Sequence, residues 1–149
     1  MRIVIQRVQN ASVSVENKVI GEIDEGYMIL VGVGEEDSEE DAEYLADKTA
    51  GLRLFDDDEG KINLSIKDVG GSILAISQFT LYADTKKGKR PSFVRAAKQE
   101  KAERLYEYFM SCLKSAGLKV EKGQFGAHMK IDMINDGPVT ILIDSNKTF

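Results

Sequence analysis

The stretch that decides the fold is Tyr27-Met28-Ile29-Leu30-Val31-Gly32-Val33, which follows Gly26 and contains no charged residue. A continuous apolar run of this kind is typical of a β-strand that is buried on both faces. A second run, residues 72–82 (SILAISQFTLY), follows a pair of glycines and predicts another buried strand. We therefore expect a fold built around a β-sheet.

The segments that precede this stretch alternate in the manner of further strands. Residues 2–8 (RIVIQRV) predict one strand, and in the next segment Ala11, Val13 and Val15 share one face. The residues 16–18 (ENK) predict a turn into residues 19–23 (VIGEI). Three or four antiparallel strands fit the first part of the chain.

Two segments have the spacing of amphipathic helices. Ser38 is a candidate N-cap with Asp41 as its capping-box partner, and Gly51 is placed to end this first helix. Its apolar and small residues recur with helical spacing at Ala42, Leu45, Ala46, Thr49 and Ala50. A longer second helix, ended by Gly117, is predicted by one face that carries Ala102, Leu105, Phe109, Cys112, Leu113 and Ala116.

The remaining segments predict a solvated turn and short strands. Residues 56–60 (DDDEG) lack the alternating oxygen ligands of an EF-hand and predict a turn between two strands. Further strands are predicted near residues 118–122, 128–134 and 139–144. The sequence thus predicts an α+β fold, with a largely antiparallel, strongly curved (barrel-like) sheet and two main helices, in a single domain over residues 1–149.

The composition limits the chemistry that the chain can perform. Cys112 is the only cysteine and His128 the only histidine, which excludes an internal disulfide and a metal site of several cysteines or histidines. We expect neither a metal nor a cofactor. The apolar run at the N-terminus is too short for a signal peptide, and no segment approaches the roughly 20 apolar residues of a membrane span. We therefore expect a cytoplasmic protein without a membrane partner.

The net charge of −5 is unevenly distributed along the chain. Between Glu35 and Asp47 there are eight acidic residues and no basic one, whereas the stretch from Lys86 to Arg104 carries a net charge of +6. These stretches are either two solvated faces of opposite sign or a local anion-binding surface on an acidic body. Charge alone favours the solvated faces, because charge runs are poor motifs.

No familiar catalytic motif is present. A Ser-His-Asp or Cys-His arrangement would have to use His128, which has no recognisable partner nearby. Neither a GxGxxG nor a Walker A phosphate loop occurs. Cys112 falls on the apolar face of the second helix and is predicted to belong to the core. An enzyme with this sequence would work with hydroxyl, amide and backbone groups.

Two segments hold such groups in unusual settings. Residues 77–81 (SQFTL) place three polar side chains at the end of an apolar strand, and residues 135–140 (NDGPVT) lie between two predicted strands. The first is either a strand passing from core to rim or the floor of a pocket. The second is either a simple turn or a functional loop, and the residues alone favour the simpler structure for both.

Together these two segments resemble the signature pair of the D-aminoacyl-tRNA deacylases, also called D-tyrosyl-tRNA deacylases. Supporting stretches occur at residues 2–8 (RIVIQRV), 51–55 (GLRLF), 89–93 (KRPSF) and 123–129 (GQFGAHM). The resemblance covers essentially the whole chain in order. It departs at His128, where we expect Asp or Glu in the family pattern, so no role is assigned to this histidine.

The resemblance implies an active site at the interface of a homodimer. Gly137 and Pro138 would form a cis peptide whose carbonyl oxygens enter the partner's pocket, meet the substrate's α-amino group and exclude an L side chain. Arg7 would hold this motif in its orientation. The scissile carbonyl would be surrounded by Ser77, Gln78, Phe79 and Thr80, and the terminal adenosine of tRNA would be received by Phe125, Gly126, Ala127 and Met129.

The implied chemistry needs no strong nucleophile, because an aminoacyl ester on ribose is already activated by the neighbouring hydroxyl. A backbone N–H of Phe79 or Thr80 is a candidate oxyanion donor, and one such donor supplies roughly 10²–10³ in rate. The 2′-hydroxyl of tRNA would help to activate water. Attack by Thr80 itself is an alternative, but the sequence offers that hydroxyl no adjacent base.

The resemblance also implies partners. They are tRNA with an aminoacylated 3′ end and a second copy of the chain, but not DNA. Candidates for tRNA phosphate contacts are Lys86, Lys87, Lys89 and Arg90. Exclusion of L side chains by size would admit D-amino acids of any size, and glycyl-tRNA as well. A non-catalytic RNA-binding module, a structural protein and a related deacylase of achiral or L substrates remain open alternatives.

Overall fold

The computed structural model describes all 149 residues. Its elements, in chain order, are β1 (Arg2–Val15), β2 (Lys18–Ile23), β3 (Gly26–Gly32), α1 (Glu39–Gly51), β4 (Arg53–Asp56), β5 (Ile62–Ser65), β6 (Ser72–Ser77), a 3₁₀ turn (Phe79–Tyr82), α2 (Gln99–Ser115), β7 (Lys119–Lys122) and β8 (Lys130–Asp144). Two helices pack against one six-stranded sheet, and β4 with β5 forms a separate hairpin. The α+β fold class is confirmed.

The main sheet is mixed, which corrects the prediction of a largely antiparallel one. Its strands run in the order β2-β1-β3-β6-β7, with β8 on the other side of β1. β1 is antiparallel to β2, β3 and β8, but β3 pairs with β6, and β6 with β7, in parallel. Parallel neighbours need a long crossover. Here each crossover contains one of the two helices.

The sheet is strongly curved and nearly closed, as predicted. The first half of β1 pairs with β3 and its second half with β2, while β8 follows β1 along almost its full length. β2 then comes round to β7, so that a Cβ added to Gly21 would lie 2.8 Å from the carbonyl oxygen of Lys122. A side chain at residue 21 would block this approach, which explains the glycine.

The core has two parts, one on each face of the central strands. Along β3, the side chains of Tyr27, Ile29 and Val31 join a cluster of 22 buried residues that includes the apolar faces of both helices. Met28 points the other way, into a cluster of seven buried residues enclosed by the curved sheet. The uninterrupted apolar run of β3 is therefore explained by burial on both faces, as the sequence predicts.

The helices begin and end close to where the sequence predicts. α1 starts after Ser38, whose backbone N–H donates to Asp41 Oδ2 over 2.8 Å in the expected capping box, and it ends at Gly51. α2 buries the predicted face together with Tyr106 and Met110. Cys112 is only half-buried at the edge of this core, which corrects its assignment to the interior. Neither helix has the length and apolar content that a membrane span requires.

Two strand predictions are wrong in their bounds. The strand predicted over residues 72–82 ends at Ser77 and gives way to the 3₁₀ turn. The strands predicted at residues 128–134 and 139–144 are one strand, β8, and the segment between them does not reverse the chain. β1 continues opposite this segment. The pairing register between β1 and β8 shifts between Gln6 and Asn10, which accommodates the extra residues of β8 without ending the strand. His128 lies just before this strand.

Candidate active site

The first candidate segment leaves the core at the end of β6. The side chains from Ile73 to Ile76 are buried, Ser77 and Gln78 are half-buried, and Phe79 and Thr80 are exposed. The Gln78 N–H donates to the carbonyl of Val31 on β3 over 2.7 Å, and the chain then coils into the 3₁₀ turn. The Gln78 side-chain amide donates to Thr80 Oγ1 over 2.6 Å. The first polar signature is thus a pocket rim rather than a strand.

A small cavity joins this segment to the loop that follows β7. It measures about 70 Å³, and its lining contains Ser77, Gln78 and Phe79 from one segment and Phe125 and Gly126 from the other. Val31, Val33, Ala102 and Tyr106 complete the lining. Ligand pockets usually measure about 300–1,000 Å³, so this cavity is well below the usual range.

The two other residues predicted to receive adenosine do not line this cavity. Ala127 lies in a turn in which its N–H donates to the carbonyl of Gln124 over 3.2 Å. Met129 packs against the second core cluster, and its sulfur lies so close to Gly123 that a Cβ there would meet it at 2.5 Å. Within one chain, the structure therefore brings Phe125 and Gly126, but not Ala127 and Met129, to the segment after β6.

Tyr106 lines the cavity and is a residue that sequence reasoning missed. Its hydroxyl donates to the carbonyl of Ala75 on β6 over 2.7 Å, and its ring lies 6.0 Å from that of Phe125. Burial raises the pKa of the Tyr106 phenol, which keeps this donor neutral. Its position next to Leu105 on the apolar face of α2 was the available signal. Tyr106 ties the helix to the strand that carries the site.

The far end of the 3₁₀ turn is anchored by a buried polar network that sequence reasoning also missed. The Tyr82 hydroxyl donates to Asp37 Oδ2 over 3.0 Å, and burial together with this carboxylate raises the pKa of the phenol. Asp37 is 4% exposed, and its other oxygen accepts from the N-terminal ammonium of Met1 over 2.5 Å. Arg2 donates to the carbonyl of Leu81 over 2.9 Å and stacks on the Tyr82 ring.

This network fixes both the position and the direction of the turn, because it satisfies groups from three separate parts of the chain. Asp37 was not predicted as a buried residue, because it lies within an acidic run that is typical of a solvated surface. Its burial, rather than its sequence context, distinguishes it from its neighbours.

The second candidate segment lies on the surface of β8. Gly137 and Pro138 are exposed, and the peptide bond between them is cis, in agreement with what the resemblance implies. Gly137 has φ +125°, and a Cβ there would come within 2.9 Å of Val139 Cγ2 and 3.2 Å of Arg7 Nη2. Only glycine fits this backbone without strain.

Arg7 supports this segment from the interior. It is 5% exposed, and its Nε donates to the carbonyl of Asp136 over 3.1 Å, while Nη1 donates to the carbonyl of Leu54 over 2.7 Å. The carboxylates of Asp56 and Asp136 lie 3.6 and 3.9 Å from the guanidinium. A planar group with several fixed donors suits this task better than lysine. The buried charge therefore serves to hold the backbone just before Gly137.

The surroundings of the second segment are apolar and exposed. Met133, Ile134 and Leu142 on the same strand are 37%, 51% and 55% exposed. Along the other edge of β8 no strand of this chain is paired. Exposed apolar side chains beside an open sheet edge are features suited to contact with another molecule.

The two candidate segments do not form one pocket within the chain. No residue from 135 to 140 lines the cavity at Ser77. The polar groups predicted to surround the scissile ester and the motif predicted to read the α-carbon are therefore separate features of one subunit.

The four basic residues predicted to contact phosphate lie together on an exposed loop. Asp84 and Ser92 close this loop by two backbone hydrogen bonds of 2.8 and 2.9 Å. The cations are Lys86, Lys87, Lys89 and Arg90, and none of them forms an ion pair. Since Asp84 follows the 3₁₀ turn by two residues, the loop rises directly beside the first segment.

The remaining nucleophile and base are far from forming a catalytic pair. Cys112 lies in a groove between α1 and α2, where burial and the carboxylate of Glu43 raise the pKa of its thiol and disfavour the thiolate. His128 is exposed in a separate groove, beside Ser14, Glu16, Asn17 and Lys130. Neither group lines the cavity at Ser77.

Comparison with known proteins is consistent across sequence and structure. Residues 4–144 match the model of the D-Tyr-tRNA(Tyr) deacylase family. The chain is 56% identical over 149 residues to the D-aminoacyl-tRNA deacylase of Thermotoga petrophila, with both chains covered in full. It has the same identity and coverage with the D-aminoacyl-tRNA deacylase of Koribacter versatilis.

Two solved structures are also similar. One, described as c-Myc DNA Unwinding Element Binding Protein, superimposes with a TM-score of 0.90 at 38% identity and covers 97% of this chain and 98% of its own. The other, described as a probable eukaryotic D-amino acid tRNA deacylase, has a TM-score of 0.82 at 17% identity, with 95% and 97% of the two chains covered. The second likeness is one of fold alone.

Proposed function

The chain belongs to the D-Tyr-tRNA(Tyr) deacylase family and is a hydrolase that acts on ester bonds, and from this premise we propose that it acts as a homodimer that frees tRNA from D-amino acids and glycine. The matches to this family confirm the resemblance that was drawn from the sequence. In each active site, Ser77, Gln78, Phe79 and Thr80 of one subunit surround the ester. Gly137 and Pro138 of the other subunit select the configuration at the α-carbon.

The observation that carries this proposal is the separation of the two segments within one chain. The cavity at Ser77 is too small for an aminoacyl-adenosine, and no part of the Gly137-Pro138 segment lines it. That segment is instead exposed on a strand with exposed apolar neighbours and an open edge. A second copy that covers β8 would bury the apolar side chains and add the missing wall to each cavity. A twofold axis would make the two sites equivalent.

Selection of the D configuration follows from steric exclusion. Arg7 fixes the Asp136 carbonyl and the backbone before Gly137. The carbonyl oxygens of Gly137 and Pro138 can then accept from the α-ammonium group of the substrate and occupy the space that an L side chain would need. Exclusion requires no attraction for the D side chain. D-amino acids of different sizes, and glycine, are therefore substrates.

The chemistry relies on oxyanion stabilisation rather than on a protein nucleophile. Phe79 and Thr80 are the first residues of the 3₁₀ turn, and N–H groups at such positions have no acceptor within their own turn. One of these donors stabilises the tetrahedral oxyanion, while the 2′-hydroxyl of tRNA helps to activate the attacking water. The Thr80 hydroxyl accepts from Gln78 and has no base beside it, which favours a positioning role over attack.

The remainder of the substrate is held on either side of the ester. Phe125 and Gly126 line the cavity with Ser77 and receive the terminal adenosine. Ala127 and Met129 contribute to adenosine binding indirectly, because they belong to the same loop as Phe125 and Gly126. The unpaired cations of the basic loop contact tRNA phosphates. Since phosphates are the same in every tRNA, these contacts allow the enzyme to bind many tRNAs without reading their sequence.

The proposal is tested by measuring four deacylation rates side by side. D-tyrosyl-, D-aspartyl- and glycyl-tRNA should be cleaved, and L-tyrosyl-tRNA should be spared. A pocket that binds D side chains attractively would discriminate against glycine by about one to two decades, since a large apolar side chain contributes roughly 1.5–3 kcal/mol on burial. Inert glycyl-tRNA beside rapid D-tyrosyl-tRNA cleavage would contradict exclusion as the mechanism.

A second candidate function is suggested by the solved structure at 38% identity, whose name is that of a protein that binds a DNA unwinding element. The basic loop would suit the backbone of DNA as well as that of RNA. Competition separates the two functions: duplex DNA should fail to displace tRNA at equal nucleotide concentration and physiological salt if the loop serves the deacylase.

A further inference from the structure

We propose that Phe93 is a stacking platform for an unpaired base of the tRNA 3′ end, namely the base that precedes the terminal adenosine. This inference rests on the proposed deacylase function and adds a contact that the catalytic segments do not provide. It assigns to the end of the basic loop a role in recognising single-stranded RNA, beyond neutralising phosphate charge.

The first observation is a pair of exposed phenylalanines. The rings of Phe79 and Phe93 lie 5.1 Å apart between centroids at an interplanar angle of 70°, an edge-to-face contact. Phe79 is nevertheless 56% exposed and Phe93 36% exposed. The contact thus orients the two rings without burying them, and leaves aromatic surface open at the rim of the cavity.

The second observation is the position of this pair relative to charge. Phe93 directly follows Ser92, whose backbone bonds to Asp84 close the loop of four cations. Phe79 begins the turn from which the same loop departs. The loop therefore leaves from one ring of the pair and returns at the other. Phosphates held by the loop would bring their bases to this pair.

These features together select one class of ligand. A positively charged path beside aromatic side chains is the usual arrangement for single-stranded nucleic acid, in which bases stack on the rings and cations follow the backbone. A duplex would keep its bases stacked within itself and would not reach the rings. The 3′ end of tRNA is unpaired, and it must pass this point to bring the ester to Ser77.

The order of contacts along the RNA follows from the lining of the cavity. Phe79 lines the cavity together with Phe125 and Gly126, whereas Phe93 lies outside it. The terminal adenosine occupies the cavity side of Phe79 under the proposed function. Phe93 is therefore placed for the nucleotide before it. Phe93 differs in this respect from a residue that merely supports Phe79, and the two roles predict different results.

The first experiment measures the Kd of uncharged tRNA for the wild type, Phe93→Ala and Phe93→Leu. Leucine keeps apolar contact with Phe79 but cannot stack on a base. Both variants should weaken binding by roughly 5- to 160-fold, the usual loss for one base–aromatic stack. Phe93→Tyr should bind like the wild type. Val94→Ala should also leave binding unchanged, because Val94 is an 85% exposed apolar neighbour that offers no ring.

The second experiment changes the RNA. With tRNA trimmed of its unpaired 3′ nucleotides, the wild type and Phe93→Ala should bind equally. With 3′-D-tyrosyl-adenosine, which lacks the preceding nucleotide, Phe93→Leu keeps its apolar contact with Phe79 and should show wild-type kcat and KM. The inference would be overturned if the wild type and the Phe93 variants had equal Kd values for intact tRNA. It would also be overturned if the variant lost as much activity on 3′-D-tyrosyl-adenosine as on D-tyrosyl-tRNA. A wild type that shows the Phe93 dependence in binding but cleaves no D-aminoacyl ester would contradict the proposed function alone.

Discussion

The segment from Ser77 to Leu81 and the segment from Asn135 to Thr140 both interrupt apolar strands with polar residues, yet their structures are opposite. The first bends away from its strand, lines a cavity and is tied to the core at both ends. The second stays in its strand, faces outward and is held from behind by one buried arginine.

The two arrangements determine what each segment can do within one subunit. A segment that lines its own cavity can hold a substrate group within one subunit. A segment that is fixed in place but faces outward can act only on a molecule brought to it. Arg7 supports a ligand-binding role for the second segment. Burying a guanidinium has a large desolvation cost, which a segment without a ligand would not require. Substitutions in each segment should therefore have different consequences.

Removal of one amide from the first segment should have the largest effect. Phe79→Pro deletes the N–H at the first position of the 3₁₀ turn, a position at which proline is common in helices. If this N–H is the oxyanion donor, kcat for D-tyrosyl-tRNA should fall by roughly 10²–10³. Phe79→Ala is the matched control, since it removes the same ring but keeps the amide. Similar kcat values for the two variants at saturating substrate would assign the donor elsewhere.

Loosening the second segment should change selectivity more than rate. Arg7→Lys cannot reproduce both hydrogen bonds of the guanidinium, and a buried carbonyl such as that of Leu54 costs about 1–3 kcal/mol of stability when it is left unsatisfied. With the backbone before Gly137 released, L-tyrosyl-tRNA should become a substrate. The ratio of D to L rates and the free energy of unfolding, measured together, check this prediction. Destabilisation with an unchanged ratio would make Arg7 purely structural.

Cutting the anchor of the first segment should have a smaller effect. Tyr82→Phe removes the hydroxyl that donates to Asp37, a bond to a charged group that contributes about 1.5 kcal/mol. The far end of the turn should then lose order, so that kcat falls while KM and the D-to-L ratio change little. Tyr108→Phe is the matched control, because it removes a phenol hydroxyl that donates to the carboxylate of Glu43, outside this network. A raised KM with unchanged kcat would argue against positioning.

The smallest effect is expected at the basic loop, which serves the first segment from outside. Reversing the charges of Lys86, Lys87 and Lys89 should weaken tRNA binding. It should also reduce the salt dependence of binding by about 0.7–0.9 in slope for each phosphate that the loop no longer neutralises. Turnover at saturating substrate should stay near the wild-type value. An unchanged salt slope would return the loop to an ordinary solvated surface.

The sequence predicted local structure well and long-range arrangement less well. The capping box at Ser38 and the double burial of Tyr27 to Val33 depend on neighbours in the chain, and both are confirmed. The parallel pairing of β6 was missed because it is set by two helical crossovers and by tertiary packing. The continuity of β8 was missed because Gly137 and Pro138 read locally as a turn, while β1 holds them in the sheet.

The candidate site shows the same division. The SQFT and NDGP signatures were found from their polar residues and from family resemblance. Asp37, Tyr82 and Tyr106 were not, because a buried polar contact between distant segments leaves no periodic trace in the sequence. Their partners become visible only when the fold brings them together.

The most direct test of the cross-subunit account is a mixed dimer of the Phe79→Pro and Arg7→Lys variants. Phe79→Pro is expected to have an impaired first segment and an intact second one, whereas Arg7→Lys is expected to have an intact first segment and a loosened second one. With Phe79→Pro in large excess after subunit exchange, nearly every Arg7→Lys chain sits beside a Phe79→Pro partner. If the second segment acts in trans, the functional pockets of these dimers face an intact Gly137-Pro138 motif. The mixture should therefore cleave D-tyrosyl-tRNA and spare L-tyrosyl-tRNA. Persistent L-tyrosyl-tRNA cleavage, at the ratio shown by Arg7→Lys alone, would mean that each subunit reads handedness with its own motif.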